Sequence, residues 1–258
     1  MSKSEVILNV QDVRKRFGGV EALCGVGLRV HRGEVYGLIG PNGAGKTTLF
    51  NVITGLTRPD AGRFELDGAP YSLRGAHRVA AAGIARTFQN IRLFGQMTAL
   101  ENVCVGRHVR THASAWGALL RLPSVQREEA QIKSRAQELL DFVGLAGHAS
   151  CTASTLSYGD QRRLEIARAL ATDPKVLALD EPAAGMNATE KLALRQLIER
   201  IRQSGVTVLL IEHDVKLVMG LCDRVTVLDY GKVIAQGTPA QVQSNPAVIE
   251  AYLGVAHA

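Results

Sequence analysis

The sequence has no run of apolar residues long enough to cross a lipid bilayer, which takes about 18 to 20 residues. Its longest apolar segments, such as 206–211, have the length of a buried strand. The N-terminal segment lacks the positive region and long apolar run of a secretory signal, so we expect the protein to stay in the cytosol. These absences argue against an integral membrane protein and against a secreted one.

Cysteine is scarce and scattered, and no CxxC pair occurs among Cys24, Cys104, Cys151 and Cys222. This spacing argues against a metal site and a disulfide framework, and it predicts reduced, partly buried thiols. Internal repeats, low-complexity tracts and long linkers are also missing. With 258 residues, 46% hydrophobic and 21% charged, the chain suits one large globular domain or one domain with an insertion.

Positive charge is concentrated in one stretch of the chain. The net charge is +6, and residues 74–127 carry eight arginines against the single acid Glu101. Such a cluster is typical of a surface that meets nucleic acid, anionic lipid or an acidic partner, and it is equally typical of a solvated face.

Alternation of apolar strands with amphipathic helices predicts an α/β fold with a parallel sheet covered by helices. The segment around 126–143 has helical spacing and ends at Gly144, a typical helix C-cap, so we interpret residues 90–154 as an inserted helical subdomain. Strands are predicted at 5–13, 19–30, 34–39, 63–66, 176–179, 206–211 and 224–228, and helices at 45–54, 126–143, 159–172, 189–203 and 215–221.

The segment GPNGAGKTT matches the phosphate-loop pattern G-x-x-x-x-G-K-[ST] between a predicted strand and a predicted helix. Glycine lets the backbone approach phosphate closely, and the helix N-terminus supplies N–H donors and a favourable dipole. Lys46 is expected to reach the β and γ phosphates of ATP, and the Thr47 hydroxyl to ligate Mg²⁺. The predicted nucleotide-binding residues are Gly40, Pro41, Asn42, Gly43, Ala44, Gly45, Lys46, Thr47 and Thr48.

A second signal is the apolar strand VLALD followed by Glu181 and a proline. Asp180 is placed to hold Mg²⁺ through water, and Glu181 to orient or deprotonate the attacking water. An acidic pair after a strand is weak evidence alone. Beside a phosphate loop it gains weight, because that loop needs an acidic partner for its metal.

The third signal, LSYGDQRR at 156–163, resembles the LSGGQ signature of ABC transporter ATP-binding subunits. It lies between the phosphate loop and the acidic strand, in the order that this family requires. The resemblance covers nearly the whole chain. It implies a P-loop ABC-type nucleotide-binding domain with an antiparallel β subdomain and an inserted helical subdomain. We expect residues 1–89 and 155–258 to form the catalytic core and 90–154 the helical subdomain.

The same resemblance implies roles for five further residues. Phe17 corresponds to the aromatic residue that stacks on adenine, and Gln89 to the glutamine that touches Mg²⁺ and links to the permease-facing subdomain. Ser157 and Gly159 correspond to residues that contact the γ-phosphate held by the opposite subunit. His213 corresponds to the switch histidine beside Glu181, which together with Lys46 completes the expected catalytic set.

Three positions depart from the common pattern. Tyr158 and Asp160 replace glycine and glutamine of the signature, and Asn187 stands where an aspartate normally assists the opposite subunit. These changes affect the expected contacts across the dimer and leave the expected fold unchanged.

Several longer stretches, among them RTFQNIRLFGQMTALENV, DEPAAGMN and the ending IEAYLG, resemble ATP-binding subunits of branched-chain amino acid importers. A longer helical segment around 107–124 fits the same group. The resemblance implies a peripheral protein on the cytoplasmic face of the inner membrane. Its expected partners are a two-subunit permease, a second ABC ATPase subunit of the same or a related sequence and, indirectly, a periplasmic substrate-binding protein.

Other functions are compatible with parts of this sequence. Importers of urea or short amides and the exporter of lipopolysaccharide are close relatives within the transporters. An ABC ATPase acting on nucleic acid or the ribosome is compatible with the basic stretch, but such proteins tend to carry two ATPase halves or long coiled-coil insertions, so no nucleic-acid partner is expected. A small-molecule kinase would need neither the signature nor the Asp–Glu pair.

Overall fold

The computed structural model describes residues 5–110 and 123–253. Contacts within the chain divide it into a first unit, Met1–Arg86 with Lys175–Ala258, and a second unit, Thr87–Pro174. Most of the predicted longer helical segment around 107–124 lies outside the described residues.

The described elements alternate between strands and helices over much of the chain. The strands are β1 (Val6–Phe17), β2 (Val20–His31), β3 (Val35–Ile39), β4 (Ala61–Leu66), β5 (Ala69–Pro70), β6 (Ile84–Arg86), β7 (Val176–Asp180), β8 (Thr207–Ile211), β9 (Arg224–Asp229) and β10 (Lys232–Gly237). The helices are α1 (Lys46–Ile53), α2 (Ala76–Ala82), α3 (Ala99–Arg107), α4 (Pro123–Phe142), α5 (Tyr158–Leu170), α6 (Ala188–Gln203), α7 (Val215–Leu221), α8 (Pro239–Gln243) and α9 (Pro246–Leu253).

The first unit contains a six-stranded sheet in the order β10-β9-β3-β8-β7-β6. Its pairs are parallel apart from β10 with β9, which form an antiparallel hairpin at one edge. Strands β3, β7 and β8 are buried along their whole length, as their continuous apolar sequences predict. The predicted parallel sheet is therefore confirmed, and with it the α/β class.

The first unit also contains an antiparallel sheet in the order β2-β1-β4-β5. A turn at 67–68 joins β4 to β5, and Asp67 (φ 55°) and Gly68 (φ 74°) both adopt the positive φ that a tight two-residue hairpin requires. Side chains of this sheet, such as Leu8 and Leu28, share one core with Phe50 of α1 and Leu209 of β8. That shared core fixes the two sheets of the first unit relative to each other.

The second unit is helical. Helix α3 begins at a capping box in which the Thr98 hydroxyl accepts from the Glu101 N–H and the Glu101 carboxylate accepts from the Thr98 N–H. Gly106 lets α3 approach α5 closely, because a Cβ at this position would lie 2.2 Å from the Arg168 carbonyl oxygen. Helix α4 ends at Phe142, and Gly144 follows at φ 82°.

Within residues 5–110 and 123–253, no helix is both long enough and apolar enough to cross a membrane. The four cysteines are free thiols, and Cys222 is the buried one.

Candidate functional site

The phosphate loop runs from the end of β3 to the start of α1, and its glycines are required by their surroundings. Gly40 has φ 149°, and a Cβ there would lie 2.1 Å from the Leu228 carbonyl oxygen. Gly45 has φ 100°, and a Cβ there would lie 2.6 Å from the Ala22 carbonyl oxygen. Side chains at these two positions would push the loop away from β9 and β2, so the sequence can close this turn only with glycine.

The outer side of the loop is suited to an anion. Gly43 and Thr47 are exposed, and no described atom lies within 4 Å of where a Gly43 Cβ would be. Among the described residues no side chain caps α1 at Gly45, so its first N–H groups stay available to a ligand. This open cradle at a helix N-terminus fits the phosphates of a nucleotide. Pro41, Asn42, Ala44 and Thr48 complete the loop and the first turn of the helix.

Lys46 lies folded over the loop that it follows. Its Nζ donates to the carbonyl oxygens of Gly40 at 2.7 Å and Pro41 at 2.9 Å. An ammonium group has three N–H donors, so one remains for an anion bound in the cradle. Burial lowers the pKa of Lys46, and the negative charge of Glu181 opposes that shift. The Glu181 carboxylate is thus close enough to the loop to act on its lysine.

Three neighbouring strands bring the candidate residues to one edge of the sheet. The phosphate loop follows β3, Asp180 ends β7, and His213 lies just beyond β8, which pairs with both β3 and β7. Because all three strands run parallel, their carboxyl ends meet at the same edge, where open α/β sheets bind their ligands.

Glu181 adopts a backbone conformation that is uncommon for a residue with a side chain. Its φ is 44°, and its N–H donates to the Ile211 carbonyl oxygen at 2.9 Å. A left-handed conformation costs roughly 1–3 kcal/mol and tends to persist where function needs it. The Glu181 Oε2 lies 3.5 Å from Nδ1 of His213, whose side chain is exposed. The two predicted catalytic residues are therefore adjacent.

Asp180 is buried and already paired. Its Oδ2 lies 2.6 Å from Nη2 of Arg86, at the end of β6. Arg86 was not predicted as a site residue, although a charged residue that ends an otherwise apolar segment was a usable signal. Mg²⁺ binds carboxylate oxygens in proteins, so the Asp180 side chain is chemically suited to the metal.

Glu212 is a second buried acid that sequence analysis missed. It accepts from the Ala183 N–H at 2.9 Å and from the His213 N–H at 3.3 Å. Burial raises the pKa of Glu212, while the two backbone donors oppose that rise. Glu212 thus ties the segment after Glu181 to the segment that carries His213. Only its burial, which sequence does not show, separates it from a surface acid.

Phe17 is half exposed at the end of β1, and the Lys15 ammonium lies 5.3 Å from the centroid of its ring. The partner strand β2 contributes Ala22, whose carbonyl oxygen abuts Gly45 of the phosphate loop. An exposed aromatic ring therefore lies on a hairpin that touches the loop, which is compatible with stacking on a base.

In the second unit, Gln89 is exposed on a loop whose backbone is held by α5. The Arg162 guanidinium donates to the carbonyl oxygens of Phe88 at 2.5 Å and Gln89 at 2.7 Å. Glu165 accepts from the N–H groups of Phe88 at 3.3 Å and Arg92 at 3.2 Å. Arg162 and Glu165 also pair with each other at 2.9 Å. A buried ion pair on the signature helix thus fixes the backbone of the Gln89 loop.

Ser157 is exposed at the N-cap of α5, and Gly159 is buried in the first turn of that helix. The Ser157 hydroxyl donates to Asp160 Oδ2 at 2.7 Å and accepts from the Asp160 N–H at 3.2 Å. Asp160, one of the departures from the signature, thus places a negative charge beside Ser157. Asn187, another departure, caps α6 in a capping box with Glu190.

The basic stretch 74–127 is only partly a solvated face. Arg86 is buried against Asp180, and Arg107 and Arg110 bond within the second unit to Asp173 and to the Thr172 carbonyl oxygen. Arg121 lies outside the described residues. Part of this charge serves the folding of the chain rather than a partner surface.

Comparison with known proteins adds sequence relatives to this geometry. The ABC transporter family model matches residues 23–184, and the branched-chain amino acid ATP-binding cassette transporter model matches 232–258. The chain is 47% identical over 254 residues to the high-affinity branched-chain amino acid transport ATP-binding protein BraF of Pseudomonas aeruginosa, covering 98% of this chain and 100% of the relative. It is 46% identical to LivG of Escherichia coli, a protein of the same description, with the same coverage.

A more distant relative is the lipopolysaccharide export system ATP-binding protein LptB of Haemophilus influenzae, which is 35% identical and covers 96% of this chain and 97% of its own length. Among solved structures, an ATP-binding cassette of an ABC transporter in its ADP conformation superposes with a TM-score of 0.84 at 34% identity. That match covers 96% of this chain and 99% of the solved one.

Proposed function

The chain belongs to the ABC transporter family, and from this membership we propose that it binds and hydrolyses ATP to power import of branched-chain amino acids through a partner permease. The relatives at 46% and 47% identity are high-affinity branched-chain amino acid transport ATP-binding proteins that match this chain over their full length, and residues 232–258 match the branched-chain amino acid ATP-binding cassette transporter model. The observation that carries the proposal is the meeting of phosphate loop, Asp180, Glu181 and His213 at the carboxyl ends of β3, β7 and β8.

Each residue of that edge has a proposed role. Residues 40–48 hold the phosphates of ATP, with the Lys46 ammonium on the β and γ phosphates. Thr47 and Asp180 would hold Mg²⁺, and Gln89 would join them on the strength of the family resemblance. The metal would neutralise charge that develops on the phosphates. Phe17 stacks on adenine.

Glu181 acts as the base that orients and deprotonates the attacking water, and His213 contacts both the γ-phosphate and Glu181. Support comes from the strained backbone at Glu181 and from the 3.5 Å distance between the two side chains. A strained residue beside a potential proton partner is typical of an active site.

We assign the second nucleotide contact to another subunit. In this arrangement two ATPase subunits, identical or related, pair head to tail, so that Ser157 and Gly159 of one reach the γ-phosphate held by the other. ATP then favours the closed pair by its differential affinity, and hydrolysis removes that bias. The dimer binds a two-subunit permease on the cytoplasmic face of the inner membrane. A periplasmic substrate-binding protein delivers the substrate to that permease. The proposed core, 1–89 with 155–258, and helical subdomain, 90–154, follow the same family pattern.

Lipopolysaccharide export is an alternative function, because one relative of this chain is a lipopolysaccharide export system ATP-binding protein. The matching exporter subunit is 35% identical to this chain, against 46% and 47% for the branched-chain amino acid proteins. Import is therefore better supported. Uptake of radiolabelled leucine into vesicles that contain this chain together with a branched-chain amino acid permease would separate the two, since an exporter subunit would give no uptake.

The test of the ATPase activity is Glu181→Gln in the full chain. Loss of the base should lower the hydrolysis rate about 10²- to 10⁴-fold while ATP binding persists, because glutamine keeps the size of the side chain and cannot take a proton. Lys46→Ala is the matched comparison, since it should weaken ATP binding itself. Hydrolysis by Glu181→Gln at the normal rate would remove Glu181 from its role, and wild-type protein that binds no Mg-ATP would remove the function altogether.

A further inference from the structure

The carboxylate of Asp180, a proposed Mg²⁺ ligand, already forms an ion pair with an arginine of the same chain. Nη2 of Arg86 lies 2.6 Å from Asp180 Oδ2, and the two side chains are only 8% and 7% exposed. A charge-assisted hydrogen bond of this length between buried groups is strong, and water competes with it poorly.

Arg86 also contacts side chains of α1. Its Nη1 donates to Asn51 Oδ1 at 2.6 Å and to Thr54 Oγ1 at 2.9 Å, and its guanidinium carbon lies 4.8 Å from the centroid of the Phe50 ring. These contacts do not involve Asp180. The guanidinium therefore stays bound to α1, the helix that follows the phosphate loop, even when the Asp180 carboxylate binds another cation.

Given the proposed function, in which Asp180 helps to hold Mg²⁺, we propose that Arg86 is a positioning residue that fixes the Asp180 carboxylate and competes with the divalent cation for it. One carboxylate that is already paired attracts a second cation weakly. Mg²⁺ is bound in nucleotide sites by one or two carboxylates together with the substrate phosphates. The competition makes the metal site effective only when those phosphates are present, so the chain does not hold a divalent ion without its nucleotide.

The experiment measures metal affinity without nucleotide. The full chain is titrated with Mn²⁺, and the free ion is followed by electron paramagnetic resonance. Arg86→Met removes the charge and keeps much of the apolar volume against Phe50. This variant should bind Mn²⁺ about tenfold more tightly than wild type. Its thermal midpoint, lowered without metal, should recover in millimolar Mg²⁺.

Two further variants tie the effect to this carboxylate. Arg162→Met removes another buried arginine that is paired with a carboxylate, Glu165, at 2.9 Å. It should lose stability with no gain in Mn²⁺ affinity and no recovery in Mg²⁺. Adding Asp180→Asn to Arg86→Met should abolish the gain in affinity.

Unchanged or weaker Mn²⁺ binding by Arg86→Met overturns the proposal, and so does an equal gain in Arg162→Met. Should Arg86→Met not fold, Arg86→Gln serves instead. Glutamine carries no charge but can still hydrogen-bond to α1, so Mn²⁺ affinity should still exceed that of wild type, and unchanged affinity would again overturn the proposal. Mg-ATP binding by wild type is measured alongside. If wild type binds Mg-ATP and the Mn²⁺ affinities are equal, only the role of Arg86 is lost.

Discussion

Arg86 and Arg162 are both buried arginines paired with a carboxylate, but the two pairs differ in everything around them. The Arg86–Asp180 pair lies at the phosphate-loop edge of the first unit, and Arg86 also bonds to side chains of α1. The Arg162–Glu165 pair lies in the second unit within one helix, and it bonds to the backbone of 88, 89 and 92. One pair sets the charge at a candidate metal site. The other shapes a loop.

The role of a buried ion pair therefore has to be inferred from its other contacts. Burial of two charges costs free energy that their mutual attraction only partly offsets, so a pair is weak evidence of stabilisation. Arg162 and Glu165 together satisfy four backbone groups, which explains their retention as a structural anchor. Arg86 instead pairs with the Asp180 carboxylate, for which a divalent cation can compete.

The largest effect that sharpens this comparison is expected from Arg162→Met. It leaves Glu165 buried without its counter-ion and frees two backbone carbonyls, so the free energy of unfolding should fall by about 3–5 kcal/mol. Urea denaturation followed by circular dichroism measures it. A double variant with Glu165→Leu should lose less than the single one, and an equal or larger loss in the double variant would contradict the anchor role.

Glycines give the next comparison, because Gly40 and Gly106 make equally close approaches in the two units. A Cβ would lie 2.1 Å from the Leu228 carbonyl oxygen at Gly40 and 2.2 Å from the Arg168 carbonyl oxygen at Gly106. Gly106→Ala should cost about 1–3 kcal/mol of stability through overpacking. Gly40→Ala should cost at least as much, because Gly40 also has φ 149°. Fluorescent-nucleotide titration should show weakened ATP binding for Gly40→Ala only, and equal losses of affinity would contradict the separation.

A smaller effect concerns pH and the second pair alone. Burial raises the pKa of Glu165, and the charge of Arg162 opposes that rise. In Arg162→Met the folded-state pKa should rise further above the ordinary glutamate value of about 4.3. An acid whose pKa is raised by folding loses stability as pH increases through that window, because the folded state must give up a bound proton. The stability difference between wild type and Arg162→Met should therefore shrink as pH falls from 7 towards about 4.5, and a difference independent of pH would contradict this account.

The smallest expected effect is that of Asp160→Gln in the signature helix. Loss of an acid from the first turn of α5 should cost about 0.3–1 kcal/mol of stability. The change also removes a negative charge from beside the Ser157 hydroxyl. If Ser157 contacts phosphate across the dimer, ATP-dependent dimerisation of a Glu181→Gln background should become a few-fold tighter by analytical ultracentrifugation. Weaker dimerisation would count against that contact.

Much of the first unit could be predicted from the sequence. The turn after β3, the two acids at the end of β7 and the helix 215–221 were predicted because glycine spacing, apolar strands and helical periodicity are local signals. The elements that were not predicted, including β6, α2 and α3, are short or weakly periodic. Their positions depend on tertiary contacts such as the pairing of Ile84 with Val176.

By itself, the sequence determined the α/β class, the phosphate loop and the order of motifs that marks the family, because each depends on residues close together in the chain. Only the tertiary structure decided that Arg86 meets Asp180, which lies 94 positions away, and that Arg162 holds the backbone of Gln89, 73 positions away. Such contacts arise when distant segments are buried against each other. Burial strengthens the interaction between two charged side chains, because the protein interior has a lower dielectric constant than water. A sequence names the charged residues, whereas the folded chain sets which of them interact.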